Sequence, residues 1–288
     1  KGEASMAQYN ELGTRMKKFY EEISKTRLTR RTPVILRVDG KAFHTFTRGF
    51  QVPFDDILIE TVQQTMKYLC ESVQGCVLGY CQSDEISLAL VDYKKLESAA
   101  WFDYEVQKMC SVAASMATLA FNRTLARIVD REYSKSKECA EPYRKALEHG
   151  AMFDARVFNI PREEVTNYFY WRQLDASRNS VEMVGHANFT TKELHKKSCN
   201  EVQDMLMLQR GINWNNFPTY QKRGSACIKE KYLVDKTTRE ELPAETFNDP
   251  DDCFNYTENA VERTRWRVDK DIPIFKGEDG REYIERLI

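Results

Sequence analysis

Blocks of helical and extended periodicity follow one another along this chain. From Glu11 to about Ser24, Leu12, Met16, Phe19, Tyr20 and Ile23 recur on one side at helical spacing, which predicts an amphipathic helix. From Pro33 to Val38 the chain is a short apolar, branched run, the pattern of a buried strand, and it ends abruptly at Asp39-Gly40. Helical spacing returns from Ile57 to Val73, and a second strand is predicted from Cys76 to Cys81. Gln82-Ser83-Asp84-Glu85 is a polar break, and Ile86 to Val91 alternates like a third strand. The order is strand, helix, hairpin, with an acidic residue at each strand junction.

A long helical stretch rich in Ala, Met and Leu runs from about Trp101 to Asp130, and residues 133–148 read as a charged surface helix. Val157 and Phe158 close another strand before Pro161, which opens a helix at the turn where proline is tolerated. Helical pattern resumes from Trp171 to Ala187 and from Thr191 to Leu208. Beyond Gly224 the periodicity weakens, Pro243 to Asp252 reads as a loop, and the last thirty or so residues read as a strand-containing tail. The expectation is one α+β domain, an antiparallel sheet flanked by helices with a helical second half packed on it.

Composition narrows the class. The chain has 288 residues, 42% hydrophobic and 30% charged, enough for a sizeable core and unlike a disordered segment. No apolar run approaches the roughly 20 residues that span a bilayer, and residues 1–10 lack the apolar centre of a secretion signal. The eight cysteines (Cys70, Cys76, Cys81, Cys110, Cys139, Cys199, Cys227, Cys253) form no Cys-x-x-Cys pair and no zinc spacing, so they read as reduced thiols of a cytoplasmic protein. A net charge of −1 gives no global basic field. Basic groups nevertheless gather between Lys17 and Arg31, at Lys192, Lys196 and Lys197, and from Lys222 to Lys231. Such clusters are ordinary solvated faces or phosphate contacts, and sequence leaves both open.

The chemistry-bearing residues lie at the strand junctions. Phosphoryl transfer from a nucleotide uses divalent metal to offset triphosphate charge, and magnesium needs only two or three hard oxygen ligands besides water. Two acids at neighbouring strand ends suit a pair of ions about 3.5–4 Å apart. Asp39 ends the first predicted strand, and Asp84 with Glu85 sits at the hairpin tip. Gly40, without a side chain, lets backbone approach a phosphate and leaves its carbonyl free for metal. Lys41-Ala42-Phe43-His44 can then offer amide groups to a triphosphate. Taken singly, Asp-Gly is also an ordinary turn and Asp-Glu an ordinary hairpin tip.

These residues carry a resemblance. Arg37-Val38-Asp39-Gly40-Lys41-Ala42-Phe43-His44-Thr45-Phe46 resembles the R-[LV]-D-G-x-x-F-H-x-F signature of tRNA(His) guanylyltransferases and their guanylyltransferase-like relatives of bacteria and archaea. Tyr80-Cys81-Gln82-Ser83-Asp84-Glu85-Ile86-Ser87 is similar to that family's hairpin, and Tyr170-Trp171-Arg172-Gln173 with Asp175 resembles its W-R-Q-x-D segment. Lys222-Arg223-Gly224 resembles a later basic-glycine segment, and Leu12-Gly13 with Arg15-Met16-Lys17 resembles the amino-terminal helix. The resemblance runs in order from residue 11 to about 230.

It implies a polymerase-palm-like catalytic domain over residues 1–230 with helical additions, and a carboxyl-terminal extension over residues 231–288. By the same carry-over, Asp39 and Asp84 bind two magnesium ions together with the Gly40 carbonyl. Residues 39–44 (Asp39, Gly40, Lys41, Ala42, Phe43, His44), with Ser83 and Asp84, hold the triphosphate, and Glu85 is an accessory catalytic acid. The implied reaction is 3′→5′ nucleotide addition to the 5′ end of tRNA, with ATP or GTP activating that end, by a homotetramer. Where histidine-tRNA-specific relatives carry H-I-N-N-L-Y-N, this chain reads Ser177-Arg178-Asn179-Ser180-Val181-Glu182-Met183, which points to template-dependent 5′-end repair. Arg172, Arg178, Asn179, Lys222 and Arg223 are candidate tRNA or phosphate contacts, with a structural ion pair the alternative for Arg172. His44 is either a ligand contact or packed beside Phe43 and Phe46. Tyr168, Tyr170, Trp171 and Trp214 either stack on bases or belong to the core, where Trp171 is expected. The rival functions are another palm enzyme such as a nucleotide cyclase, and a noncatalytic RNA-binding module.

Overall fold

The structure, a computed structural model, describes residues 11–133, 141–242 and 260–288. Six strands form one antiparallel sheet: β1 (Val34–Gly40), β2 (Cys76–Gln82), β3 (Glu85–Leu90), β4 (Phe153–Asn159), β5 (Ser225–Asp235) and β6 (Ala260–Asp269). Their order across the sheet is β4-β1-β3-β2-β5-β6. The helices are α1 (Phe43–Phe46), α2 (Asp56–Ser72), α3 (Val106–Tyr133), α4 (Glu141–His149), α5 (Arg162–Asn188), α6 (Thr191–Leu194), α7 (Cys199–Arg210), α8 (Thr219–Arg223) and α9 (Gly277–Glu285).

The unbroken apolar run of β1 follows from its central position, because both faces of the sheet are covered. Leu36, Val38, Ile86 and Leu88 meet Met66 and Leu69 of α2 and Ala113, Ala117 and Phe121 of α3 on one side. Ile35, Leu78, Tyr80 and Ala89 meet Val165 and Phe169 of α5, Phe275, and Ile284 of α9 on the other. Gly79 is what lets α2 lie so close on β2: a Cβ there would stand 2.4 Å from the Cys70 sulfur. The far half of α5 leaves the sheet and buries Val181 and Val184 against Val202 and Leu206 of α7.

Several elements depart from the sequence expectation for identifiable reasons. The first helix forms, but it passes into a π-helical turn (Lys17–Glu21) and a 3-10 turn (Glu22–Ser24), and its apolar side is exposed rather than packed. The stretch expected as one helix from Trp101 begins as a separate turn, with Phe102, Asp103 and Tyr104 all left-handed, before α3 starts at Val106. Helix α5 is continuous although its pattern reads as two, because its buried side changes partner from sheet to α7 midway. The expected helix from Thr191 to Leu208 divides at Lys196 (φ 61°), since Thr190 and Ser198 each build their own capping box with Glu193 and Glu201. Strand β5 was hidden because only its first part, Ser225–Ile228, lies in the core; the rest pairs with β6 as a half-exposed ribbon. The expected charged helix appears as α4, residues 134–140 lying outside the described residues, as does the expected loop from Pro243 to Asp252.

Among the described residues no helix is long and apolar enough to cross a membrane. Cys70, Cys76, Cys81, Cys110, Cys199 and Cys227 are free thiols, and Cys139 and Cys253 lie outside the described residues.

Asp55, buried at 5% exposure, ties the start of α2 to its surroundings. Its carboxylate accepts from the Leu58 amide at 2.8 Å, the Gln51 amide at 2.9 Å and the Tyr143 hydroxyl at 2.5 Å. Asp55→Ala removes a helix cap and strands a buried hydroxyl, a loss of about 2–3 kcal/mol. A thermal melt should show Tm lower by about 3–5 °C.

Candidate active site at the hairpin tip

The carboxyl end of β1 and the turn between β2 and β3 meet at one edge of the sheet. Val38 pairs with Ile86, so Asp39 comes beside Glu85 and the adjoining turn, while on its other side Asp39 pairs with Asp154 of β4. Strand β1 does not stop at Asp39 as its sequence suggests, but stays paired through Gly40. Ser83 and Asp84 form a two-residue turn in which Ser83 is left-handed (φ 50°), the geometry that suits the twist of a hairpin.

Gly40 brings the two acids together. A Cβ built on it would stand 2.8 Å from Asp84 Oδ2 and 2.3 Å from the Phe43 ring. The Asp84 carboxylate therefore overhangs the backbone that follows Asp39. Burial pushes the Asp84 carboxyl above the ordinary carboxylate range, and the charge of Asp39 pushes it the same way against hydrogen bonds from its own amide and Ser83. No Lys, Arg or His lies within ion-pair distance of Asp84 among the described residues, and Asp39 has only Arg156 at 3.9 Å. A partly buried acid next to a second, half-exposed one, with so little compensation, suits a divalent cation.

No group of three or more His, Cys, Asp or Glu side chains gathers as a metal cage among the described residues. The donors present are two carboxylates and the Gly40 carbonyl, a set that fits magnesium because that ion keeps several waters. Glu85 stands apart from this pair. It is buried, its carboxyl is raised by burial, and Arg172 holds it at 3.2 Å while Ser87 donates to it at 3.4 Å.

The segment expected to hold a triphosphate is divided in its roles. The Lys41 amide is already donated to the Met152 carbonyl at 2.8 Å, so the amides of Ala42, Phe43 and His44 are the ones that remain. Ala42 is left-handed (φ 54°) and starts α1, whereas the Phe43 ring is core, packed on Phe46, Phe121 and Phe153. His44 is exposed, not packed beside the phenylalanines. Ser83 and Asn179 line a cavity of about 90 Å³ together with Phe54, Leu58, Met183 and Tyr220.

The five basic or amide candidates separate by burial. Arg172 is an internal hub: it pairs with Glu85 and with Asp175 at 2.8 Å, and its guanidinium lies 3.9 Å from the centre of the Trp171 ring. Lys222 is also internal, donating to the Asn215 carbonyl at 2.6 Å, and burial lowers its pKa. Arg178 is exposed and paired with Asp175, Arg223 is part-exposed, and Asn179 opens on the cavity. The backbone at Gly224 (φ 82°) is pressed against β2, 2.3 Å separating its would-be Cβ from the Cys81 carbonyl. Tyr168 is core, but Trp171 is 53% exposed and not the core residue expected. The sequence reading missed Arg156, Asp154 and Asp55; the only signals were register and capping, which depend on partners far along the chain.

Two substitutions follow from this geometry. Gly40→Ala forces a methyl into the Phe43 ring, whose core packing resists movement, and should cost about 1–3 kcal/mol in a denaturant titration. Asp84→Asn should raise Tm at neutral pH. The raised carboxyl means the folded state binds more protons than the unfolded chain just above pH 4, so the wild-type group loses stability as pH rises through its folded pKa. The advantage of the Asn variant should therefore vanish below about pH 4.

Comparison with known proteins gives one answer. The model of the tRNA(His) guanylyltransferase family (Thg1) matches residues 13–161. A solved bacterial tRNA(His) guanylyltransferase (Thg1)-like protein in complex with ATP is 38% identical, with TM-score 0.73, covering 96% of this chain and 98% of that one. A second such structure, in complex with GTP, is 37% identical with TM-score 0.71 over the same shares. The tRNA(His) guanylyltransferase of Saccharomyces cerevisiae is 26% identical over 215 residues, 70% of this chain and 84% of the relative. The chain therefore belongs to the tRNA(His) guanylyltransferase family of nucleotidyltransferases.

Proposed function

We propose that this chain extends the 5′ end of tRNA in the 3′→5′ direction, repairing truncated ends on a template. The observation that carries this is the approach of the Asp84 carboxylate to Gly40, directly after Asp39, at an open sheet edge. The solved relatives bound to ATP and to GTP are the source for the triphosphate ligands. Where histidine-tRNA relatives have their asparagines, this chain places Asn179, Ser180 and Met183 along the cavity beside Ser83, and Ser177 stands at the histidine position, which favours repair over dedicated histidine-tRNA maturation.

In this reading Asp39, Asp84 and the Gly40 carbonyl hold magnesium, which when bound offsets triphosphate charge and acidifies the attacking 3′-hydroxyl. The amides of Ala42, Phe43 and His44 and the Ser83 turn position the triphosphate. Glu85, clamped by Arg172, fixes the strand end from which Asp84 projects. Arg178, Asn179 and Arg223 are the accessible candidates for RNA phosphates, whereas Arg172 and Lys222 act through internal packing. Residues 1–230 form the catalytic unit, on which residues 231–288 pack through β6 and α9. The protein works in the cytoplasm as a homotetramer, and the exposed Phe19, Tyr20 and Ile23 are available for burial between copies.

The test is to incubate the protein with 5′-truncated and full-length tRNAs, labelled nucleotides and magnesium. Growth of the truncated 5′ ends, and little of the full-length ones, is expected. Asp39→Ala or Asp84→Ala should each lower transfer roughly 1,000-fold or more while leaving the melt cooperative. Near-normal transfer by either variant would remove the metal assignment, and triphosphate turnover without RNA would point to a cyclase.

A further inference from the structure

Trp171 is a large aromatic side chain that the core does not absorb, and it lies against Arg172, the partner of Glu85. It is 53% exposed, and two contacts hold it in place. The Arg172 guanidinium lies against one face at 3.9 Å, and Tyr168 meets it edge-on at 5.9 Å. Arg172 is itself pinned by Glu85 and Asp175, so the indole is fixed before any ligand arrives. An aromatic ring held by its neighbours yet half exposed is the arrangement that stacks a nucleobase at low entropic cost.

Its position chooses between ligands. Tyr168 touches Phe158 of β4, which sets the Trp171 flank of α5 over β1 and β4. On that stretch of sheet Ile35 packs toward α5, so by alternation Arg37 and Asp39 project the same way. Arg37 pairs in register with Arg156, whose guanidinium meets Asp154 at 2.9 Å and stands 3.9 Å from Asp39, and the Arg37 Nε is buried without a hydrogen-bond partner. Ala176, Asn179 and Met183 line the cavity beside Ser83. Trp171 and Ala176, five residues apart, project about 140° from one another around the helix. Helix α5 thus carries the cavity on one flank and the exposed indole on another, toward the stretch of sheet that holds Arg37 and Arg156.

We propose that Trp171 is the stacking platform for the base at the 5′ end of the RNA acceptor, beside the stretch of sheet that carries Arg37 and Arg156. This rests on the reading of the chain as an RNA-extending enzyme, with the incoming nucleotide on the opposite flank. Trp171 is a positioning residue: it holds the acceptor end within reach of Asp39 and takes no part in bond making.

Trp171→Ala and Trp171→Phe would be compared in steady-state nucleotide addition, with RNA and nucleotide titrated separately. A binding arm without nucleotide or magnesium would use RNA ending in a normal or an abasic 5′ nucleotide. The Ala variant should raise the KM for RNA roughly 10- to 100-fold with the nucleotide KM unchanged. The Phe variant should stay within about threefold, because any aromatic face stacks. An abasic end should weaken wild-type binding by the same factor as Trp171→Ala and should cost that variant nothing further. The proposal is overturned if Ala binds RNA like wild type, if abasic ends weaken both proteins equally, or if the nucleotide KM moves in place of the RNA KM. A wild-type protein that extends no RNA would instead fail the functional reading, and the binding arm would still decide the stacking.

Discussion

Two carboxylates that repel each other, one of them largely withdrawn from water, are held at the same end of the sheet, and the arrangement of the molecule follows from that constraint. Asp39 comes from β1 and Asp84 from the turn that leads into its neighbour β3, and nothing in their own chemistry draws them near. What brings them together is main-chain pairing of β1 with β3, and the missing side chain of Gly40. The strain is electrostatic rather than conformational. Burial and the Asp39 charge raise the Asp84 carboxyl, so the folded state stores an unfavourable interaction that a divalent ion relieves.

The packing around this pair is what makes the arrangement affordable. Beneath it, Phe43, Phe46, Phe121 and Phe153 form an aromatic layer that leaves β1 no freedom to withdraw. Behind it, Glu85 would be a third uncompensated acid, but Arg172 neutralises it at 3.2 Å and Asp175 completes the pairing. A buried ion pair of this kind is weak evidence for stability and better read as a device that fixes geometry. Helix α5 supplies it, along with the cavity wall on one flank and the exposed Trp171 on the other. One helix thereby carries the clamp on Glu85, a wall of the cavity and the exposed indole.

Membership of the tRNA(His) guanylyltransferase family explains why so much of the site was readable beforehand. Signature segments sit at strand ends and tight turns, where backbone geometry tolerates few residues, and Gly40, Ser83 and Gly224 are such positions here. Outside them the sequence was a poorer guide. The roles of Arg172, Lys222 and Trp171 turned on burial, and each came out opposite to what its residue type suggests: two cations inside, one indole outside.

From sequence alone came the elements whose periodicity has a single cause: β1, α2, the β2–β3 hairpin, the body of α3, and the acids at the strand junctions. Those signals are local, because a strand buried on both faces or a helix lying on one surface imprints its own period on the chain. Tertiary structure decided the rest. The continuity of α5, the capped break between α6 and α7, and the pairing of β5 with β6 each depend on a partner distant in sequence. The same holds for the meeting of Asp39 with Asp84 and for the flank on which Trp171 stands. Residue order fixes which groups are available, but which of them lose water together is settled only when the sheet closes and its faces are covered.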